Sequence, residues 1–106
     1  MRAIVVGADA DGIADALEAE GADVTRLDGV ASGQRLEDAG AADADLLVLT
    51  DAGEATAIPV ARELNPDLRT VAYTGDGVPE FVKGVLDLTV DPALLDADAV
   101  AEELVS

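Results

Sequence analysis

Short uninterrupted apolar runs alternate along this chain with segments whose apolar residues recur at helical spacing. The run Leu46-Leu47-Val48-Leu49 has no polar residue at alternate positions, which is typical of a strand in a sheet covered on both faces. In contrast, Ile13, Ala16 and Leu17 recur at i, i+3 and i+4 and share one face of a helix. Strand and helix patterns alternate five times with short connections. This order predicts an α/β fold with a parallel sheet and right-handed crossovers.

The pattern also predicts where the elements lie. Pro59 falls inside the third helix and is expected to kink it, because proline lacks a backbone N–H. Asp91 and Pro92 predict the start of the last helix, as its N-cap and its first-turn proline. A length of 106 residues fits a single Rossmann-like domain over residues 1-106. Strands are predicted at 2–6, 23–27, 46–49, 70–73 and 86–90, and the first four helices at 12–20, 32–39, 54–64 and 79–84.

Composition excludes several kinds of chemistry. The chain has no Cys and no His, so it has no thiol nucleophile, no Ser-His-Asp triad and no zinc site of the usual ligand set. No apolar run approaches the roughly 18 to 20 residues needed to cross a bilayer, and no secretory signal pattern begins the chain. We therefore expect a cytoplasmic protein.

The chain is strongly acidic. It has 23 Asp and Glu against 6 Lys and Arg, a formal net charge of -17, although 50% of its residues are hydrophobic. Acids dispersed over a folded domain resemble those of proteins from salt-accumulating halophiles, including haloarchaea. Self-repulsion is screened over about 3 Å at 1 M salt, so we expect the domain to unfold as salt is removed. Such a surface repels nucleic acid and anionic membranes, and neither is an expected partner.

Acidic residues follow most of the predicted strands. In open α/β sheets, ligands bind beyond the carboxyl ends of the strands. Abundant acids throughout the chain favour a halophile's surface over a cation site. A small enzyme with a carboxylate-held metal remains one alternative, with Asp9, Asp51 and Asp76 as its ligands. The loop carboxylates are Asp9, Asp11, Asp28, Asp51, Asp76 and Asp91.

The first loop reads Gly7-Ala8-Asp9-Ala10-Asp11-Gly12. Its outer glycines match those of G-x-G-x-x-G, but Asp9 takes the place of the middle glycine, where a pyrophosphate would approach. Asp28 ends the second predicted strand about 20 residues further on, where an acid normally binds a ribose hydroxyl. The alternative interpretation is a tight strand-to-helix turn that needs two glycines.

Segments along most of the chain share a resemblance: 4–12, 17–24, Asp28, 42–51, 61–67 and 87–95. Taken in order, they resemble the N-terminal Rossmann domain of RCK proteins, regulators of potassium conductance, also called the TrkA N-terminal domain. The resemblance implies a five-stranded sheet, with order 3-2-1-4-5 preferred over 2-1-3-4-5, and a homodimer. It also implies binding of NAD(H) or an adenine nucleotide. The implied cofactor-binding residues are Gly7, Asp9, Gly12, Asp28, Thr50 and Asp51.

Three positions depart from that family. Asp9 replaces a glycine, Thr56 replaces a common Asn, and Tyr73-Thr74 replaces a basic residue. The resemblance then implies a nucleotide-sensing or vestigial module with a degenerate phosphate loop and no catalytic residues. The chain is also similar to small haloarchaeal proteins, some labelled CTP synthetase. That activity is not predicted, because the chain has no P-loop and no Cys-containing glutaminase domain.

Two further interpretations stay open. Residues 70–75 resemble the response-regulator receiver domain, whose acidic pair here aligns with Gly7-Ala8. The position of its phosphoacceptor holds Thr50, and its lysine is replaced near Val90-Asp91. This resemblance implies a degenerate receiver. The other interpretation is a structural or interaction protein that has lost its pocket.

Overall fold

The computed structural model describes all of residues 1–106, which form five strands and five helices. The strands are β1 (Arg2–Val6), β2 (Asp23–Leu27), β3 (Leu46–Leu49), β4 (Arg69–Tyr73) and β5 (Leu88–Val90). The helices are α1 (Ile13–Ala19), α2 (Gly33–Asp38), α3 (Ala57–Leu64), α4 (Glu80–Lys83) and α5 (Ala97–Val105), with 3₁₀ turns at Ala41–Asp43 and Ala52–Glu54. Strand and helix alternate as the sequence predicts.

The strands form one parallel sheet in the order β2-β1-β3-β4-β5. The predicted fold class is confirmed, but the preferred strand order 3-2-1-4-5 is wrong. β1 pairs with β3, with Val6 opposite Leu49, and has no pairing with β4. Both orders satisfy the same strand–helix alternation, so periodicity does not separate them. Because the order changes direction between β1 and β3, the loops that follow these two strands lie side by side.

Helices cover both faces of the sheet. One face packs against α1 and α5 in a cluster of 15 buried residues, which includes Val5, Leu17 and Leu104. The other face packs against α2, α3 and α4 in a cluster of 17, which includes Val6 and Ile58. Neighbouring residues of β1 thus enter opposite cores. Two buried faces explain why the central strands carry no alternating polar residues.

The predicted kink at Pro59 is wrong. α3 begins at Ala57, because the residues before it form a 3₁₀ turn. Pro59 therefore lies in the first turn of the helix, where backbone N–H groups have no intrahelical partner and a missing one costs little.

The last helix starts later than predicted. Asp91 instead closes a turn, where its carboxylate accepts a hydrogen bond from the Ala93 N–H at 2.9 Å. α5 begins at Ala97, and its N-cap is Asp96, whose carboxylate accepts the Ala99 N–H at 2.9 Å. Two aspartates, Asp91 and Asp96, follow β5 and accept backbone N–H groups. The Asp-Pro pattern predicts Asp91 as the N-cap of the last helix, whereas the observed N-cap is Asp96.

Candidate functional site

The switch point between β1 and β3 brings Gly7 against the end of β3. Gly7 is buried and has a φ of +113°. A Cβ at this position would lie 2.6 Å from Thr50 Oγ1, 2.7 Å from Asp51 Cβ and 2.8 Å from the Asp51 backbone nitrogen. Contacts this short with backbone leave no room for a side chain. The close approach of the two loops therefore accounts for this glycine without any pyrophosphate.

Thr50 also joins these two loops, through its side chain. We call the contact of residues 6–8 with Thr50 and Asp51 the closed corner. Its half-buried hydroxyl donates toward the Ala8 carbonyl at 2.7 Å and the Val6 carbonyl at 3.1 Å. The backbone N–H of Thr50 also donates to the Val6 carbonyl, at 2.9 Å. The single hydroxyl proton is thus shared between two carbonyls of the facing loop. This arrangement ties the loop after β1 to the end of β3.

Asp9 occupies the N-terminus of α1. Its two carboxylate oxygens accept the backbone N–H of Ile13 at 2.7 Å and of Ala14 at 3.1 Å. Helix-terminal N–H groups of this kind hold phosphate in dinucleotide-binding folds. Here a carboxylate of the same loop already binds them. Gly12 begins the helix with φ +75°, and open space surrounds its Cα.

Other acids at this edge also bind the backbone. Asp51 accepts the Gly53 N–H at 2.9 Å. Glu54, which the sequence does not single out, accepts the Ala31 N–H at 2.9 Å and so ties the loop after β2 to the turn after β3. No group of three or more acidic side chains is arranged to hold a metal ion. Each of these two carboxylates holds a backbone N–H group of the surrounding loops.

The structure brings most of the predicted site residues together. Gly7, Asp9, Thr50 and Asp51 surround the switch point, with Gly12 at the end of the first loop. The sixth is Asp28, which follows β2 at the same edge and is exposed. Its backbone carbonyl accepts the Arg35 guanidinium at 2.6 Å. Cofactor binding by these residues stays a prediction.

Tyr73 has a structural role beyond its place in the sequence comparison, where it stands only as a replacement for a basic residue. It ends β4, is 1% exposed, and donates its hydroxyl to the Leu95 carbonyl at 2.8 Å. Burial raises the pKa of Tyr73, and the negative charges of Asp11 and Asp96 add to this effect. A buried tyrosine needs a hydrogen-bond partner for its hydroxyl. The single tyrosine at the end of an apolar strand therefore predicts a bond to a neighbouring loop.

Solved structures similar to this chain include response-regulator proteins and two proteins from Burkholderia species that are named for pilus assembly. An orphan response regulator of H. pylori has a TM-score of 0.75 at 14% identity, covering 98% of this chain and 92% of that one. A CheY-like receiver domain from Methanospirillum hungatei gives 0.69 at 19% identity, covering 98% and 90%. A response regulator from Burkholderia pseudomallei, with a phosphorylated aspartic acid and a calcium ion, gives 0.62 at 20%, covering 98% and 71%. Identities this low show the fold alone.

These neighbours overturn the resemblance to the RCK and TrkA N-terminal family, and with it the description of the chain as a nucleotide-binding domain of that family. The two folds share the alternation of strands and helices. They differ in the strand beside β1, and the observed order is the one found in CheY. The receiver alternative is therefore the better description of the fold.

None of the helices is both long and apolar enough to cross a membrane. A search of curated proteins gave no match. A family profile matches residues 3–104, nearly the whole chain. The chain therefore belongs to the family of unknown function DUF7126.

Proposed function

We propose that this chain is a degenerate receiver-like module that takes up no phosphoryl group and acts by binding another protein. The observation that carries the proposal is the closed corner between β1 and β3. The hydroxyl of Thr50 bonds to the carbonyls of Val6 and Ala8 where a receiver would hold its phosphoacceptor. The interaction-protein and receiver interpretations of the sequence meet in this proposal.

Aspartyl phosphorylation needs three parts that this corner lacks. An acidic pair after the first strand must hold a divalent cation through carboxylate oxygens, and this chain has Gly7 and Ala8 there. A carboxylate must accept the phosphoryl group, and a lysine must balance its charge. Thr50 and Asp91 hold those two positions. Asp91 would add negative charge where the lysine neutralises it.

Asp51 is one residue beyond the acceptor position and is the carboxylate next to it in the chain. Its side chain is exposed but accepts the Gly53 N–H at 2.9 Å. Its Cβ also lies where a Cβ on Gly7 would clash. Asp51 thus supports the turn after β3, and Asp9 of the loop after β1 is itself bonded to backbone N–H groups at the start of α1.

Incubation with acetyl phosphate and Mg²⁺ in molar KCl, followed by intact mass measurement, tests the proposal. We expect no phosphoryl adduct on the natural protein or on Asp51→Asn. The phosphorylated B. pseudomallei regulator serves as the positive control. A stoichiometric adduct on the natural protein that requires Mg²⁺ and disappears in Asp51→Asn would overturn the proposal and make Asp51 a displaced phosphoacceptor.

A further inference from the structure

Most of the large exposed apolar side chains belong to one stretch of the chain. Of the seven large hydrophobic residues that are exposed, five fall between residues 81 and 95. Large exposed apolar patches on a soluble domain mark interaction sites, and on a chain with a net charge of -17 such a concentration stands out further. The five residues are Phe81, Val85, Leu88, Leu94 and Leu95.

A groove lies within this region, between the end strand of the sheet and the last helix. β5 pairs only with β4, so its other side has no neighbouring strand. Leu88, Val90, Leu95 and Val100 line a space of about 430 Å³ between β5 and α5. Pockets of this size accept small ligands or a few side chains. We call this space the β5–α5 groove.

The loop at the mouth of the groove is held in place. Asp91 accepts backbone N–H groups of Ala93, Leu94 and Leu95 through its carboxylate or its carbonyl. The Tyr73 hydroxyl binds the Leu95 carbonyl from below, at 2.8 Å. Leu94 nevertheless remains 81% exposed. An anchored backbone that presents an exposed leucine lowers the ordering cost of binding.

Charge around the groove selects among occupants. Glu102 and Glu103 line it and are exposed, and it has no basic residue. The chain's one lysine, Lys83 in α4, pairs with Glu80 at 3.1 Å. A second copy docked through the same face would bring like charges together, whereas lysine or arginine in a partner would complement them.

We propose that the β5–α5 groove binds an apolar segment flanked by lysine or arginine in another protein. This inference rests on the proposed function as a protein-binding module and adds the surface and the partner chemistry. Apolar anchors fill the space lined by Leu88 and Leu95, and basic residues meet Glu102 and Glu103. The mode is that of an amphipathic segment in a hydrophobic groove.

The test uses two designed amphipathic helices with leucine at i, i+3, i+4 and i+7. One carries lysine at its remaining positions and the other carries glutamate. Calorimetry is performed at the lowest KCl concentration that keeps the protein folded and again at higher KCl. We expect the lysine peptide to bind at least about tenfold more tightly than the glutamate peptide, and to weaken as KCl rises.

Variants then locate the binding. Leu88→Thr and the pair Glu102→Gln, Glu103→Gln should each weaken the lysine peptide several-fold. Val30→Thr changes an exposed apolar residue away from the groove and should leave its affinity unchanged. Equal binding of both peptides, no binding of either, or a natural dimer that Leu88→Thr dissociates would each overturn the inference. A phosphoryl adduct in the separate acetyl phosphate assay would refute the proposed function instead, whatever the peptides do.

Discussion

Two regions of the sheet differ in what their side chains contact: the interior strands β1 and β3, and the edge strand β5. At the switch point between β1 and β3, polar side chains turn inward: Thr50 binds two carbonyls of the facing loop, and Asp9 caps α1. At β5, apolar side chains such as Leu88 and Leu94 face outward from an anchored backbone. The carboxyl ends of β1 and β3, where ligands usually bind in such folds, are thus bonded to one another within the chain. The edge strand β5 and the turn after it leave apolar side chains exposed.

The contrast shows that position on a fold does not define a site. Strand ends at a switch point hold ligands in many α/β proteins, yet Asp9 and Asp51 here bind backbone N–H groups of their own loops. Function is carried by the groups that remain available. The substitutions below distinguish residues that hold the corner between β1 and β3 together from residues that are exposed at and after β5.

The largest effect is expected for Gly7→Ala. The new Cβ would lie 2.6 to 2.8 Å from atoms of Thr50 and Asp51, at a φ of +113°. Left-handed backbone strain and crowding together predict a loss of about 3 kcal/mol in the free energy of unfolding. Urea denaturation followed by circular dichroism in molar KCl measures it. Gly12→Ala is the matched control, since a Cβ there would meet no atom within 4 Å, and its left-handed φ alone should cost about 1 kcal/mol.

A smaller effect is expected for Asp9→Ala. Loss of the cap on α1 should cost about 1 kcal/mol of unfolding free energy, measured by the same denaturation. Asp11→Ala removes an exposed acid from the same loop and should change stability by less than about 0.5 kcal/mol. Equal effects of the two substitutions would mean that net charge, and not the hydrogen bonds to Ile13 and Ala14, determines the result.

Tyr73→Phe tests the anchor that joins the core to the exposed loop. Loss of the hydrogen bond to Leu95 should cost roughly 0.5–1 kcal/mol near neutral pH. Because the folded pKa of Tyr73 is raised, the neutral phenol is favoured in the folded state. Its contribution is complete below the unfolded pKa of about 10 and is lost as pH rises through the folded value. The natural protein should therefore lose stability more steeply than Tyr73→Phe in alkaline titrations, and parallel curves would refute this.

The smallest effect is expected for Leu94→Ser. Since Leu94 is 81% exposed, we expect the free energy of unfolding to change by less than about 0.5 kcal/mol. The melting temperature in molar KCl is the readout. A large loss would show that Leu94 packs against the domain, and the contrast between a closed edge and an open edge would then fail.

Local features of the fold could be predicted from the sequence, and distant ones could not. β1 and β3 follow from apolar runs, and the helix predicted from residue 32 has Ser32 as its N-cap, where the Ser32 hydroxyl accepts the Arg35 N–H. The strand order depends on which strand lies beside β1, over 40 residues away, and no local pattern specifies it.

The candidate site shows the same limit. The six predicted residues do lie at one edge of the sheet, because parallel strands end there together. Their roles depend on atoms in other loops, as with Thr50 bonded to Ala8 and Glu54 bonded to Ala31. The exposed groove beside β5 was not predictable either, since a leucine in a strand looks the same whether a neighbouring helix covers it or leaves it open.

The closed corner is tested most directly by amide chemical shifts in the presence of Mg²⁺ and beryllofluoride, which mimics a phosphoryl group on a carboxylate. Spectra would be recorded in molar KCl on uniformly ¹⁵N-labelled protein. We predict that the amides of Gly7, Thr50 and Asp51 keep their positions through the titration. Saturable shifts of these three amides would contradict the account, because they would show that the corner opens to accept a phosphoryl group.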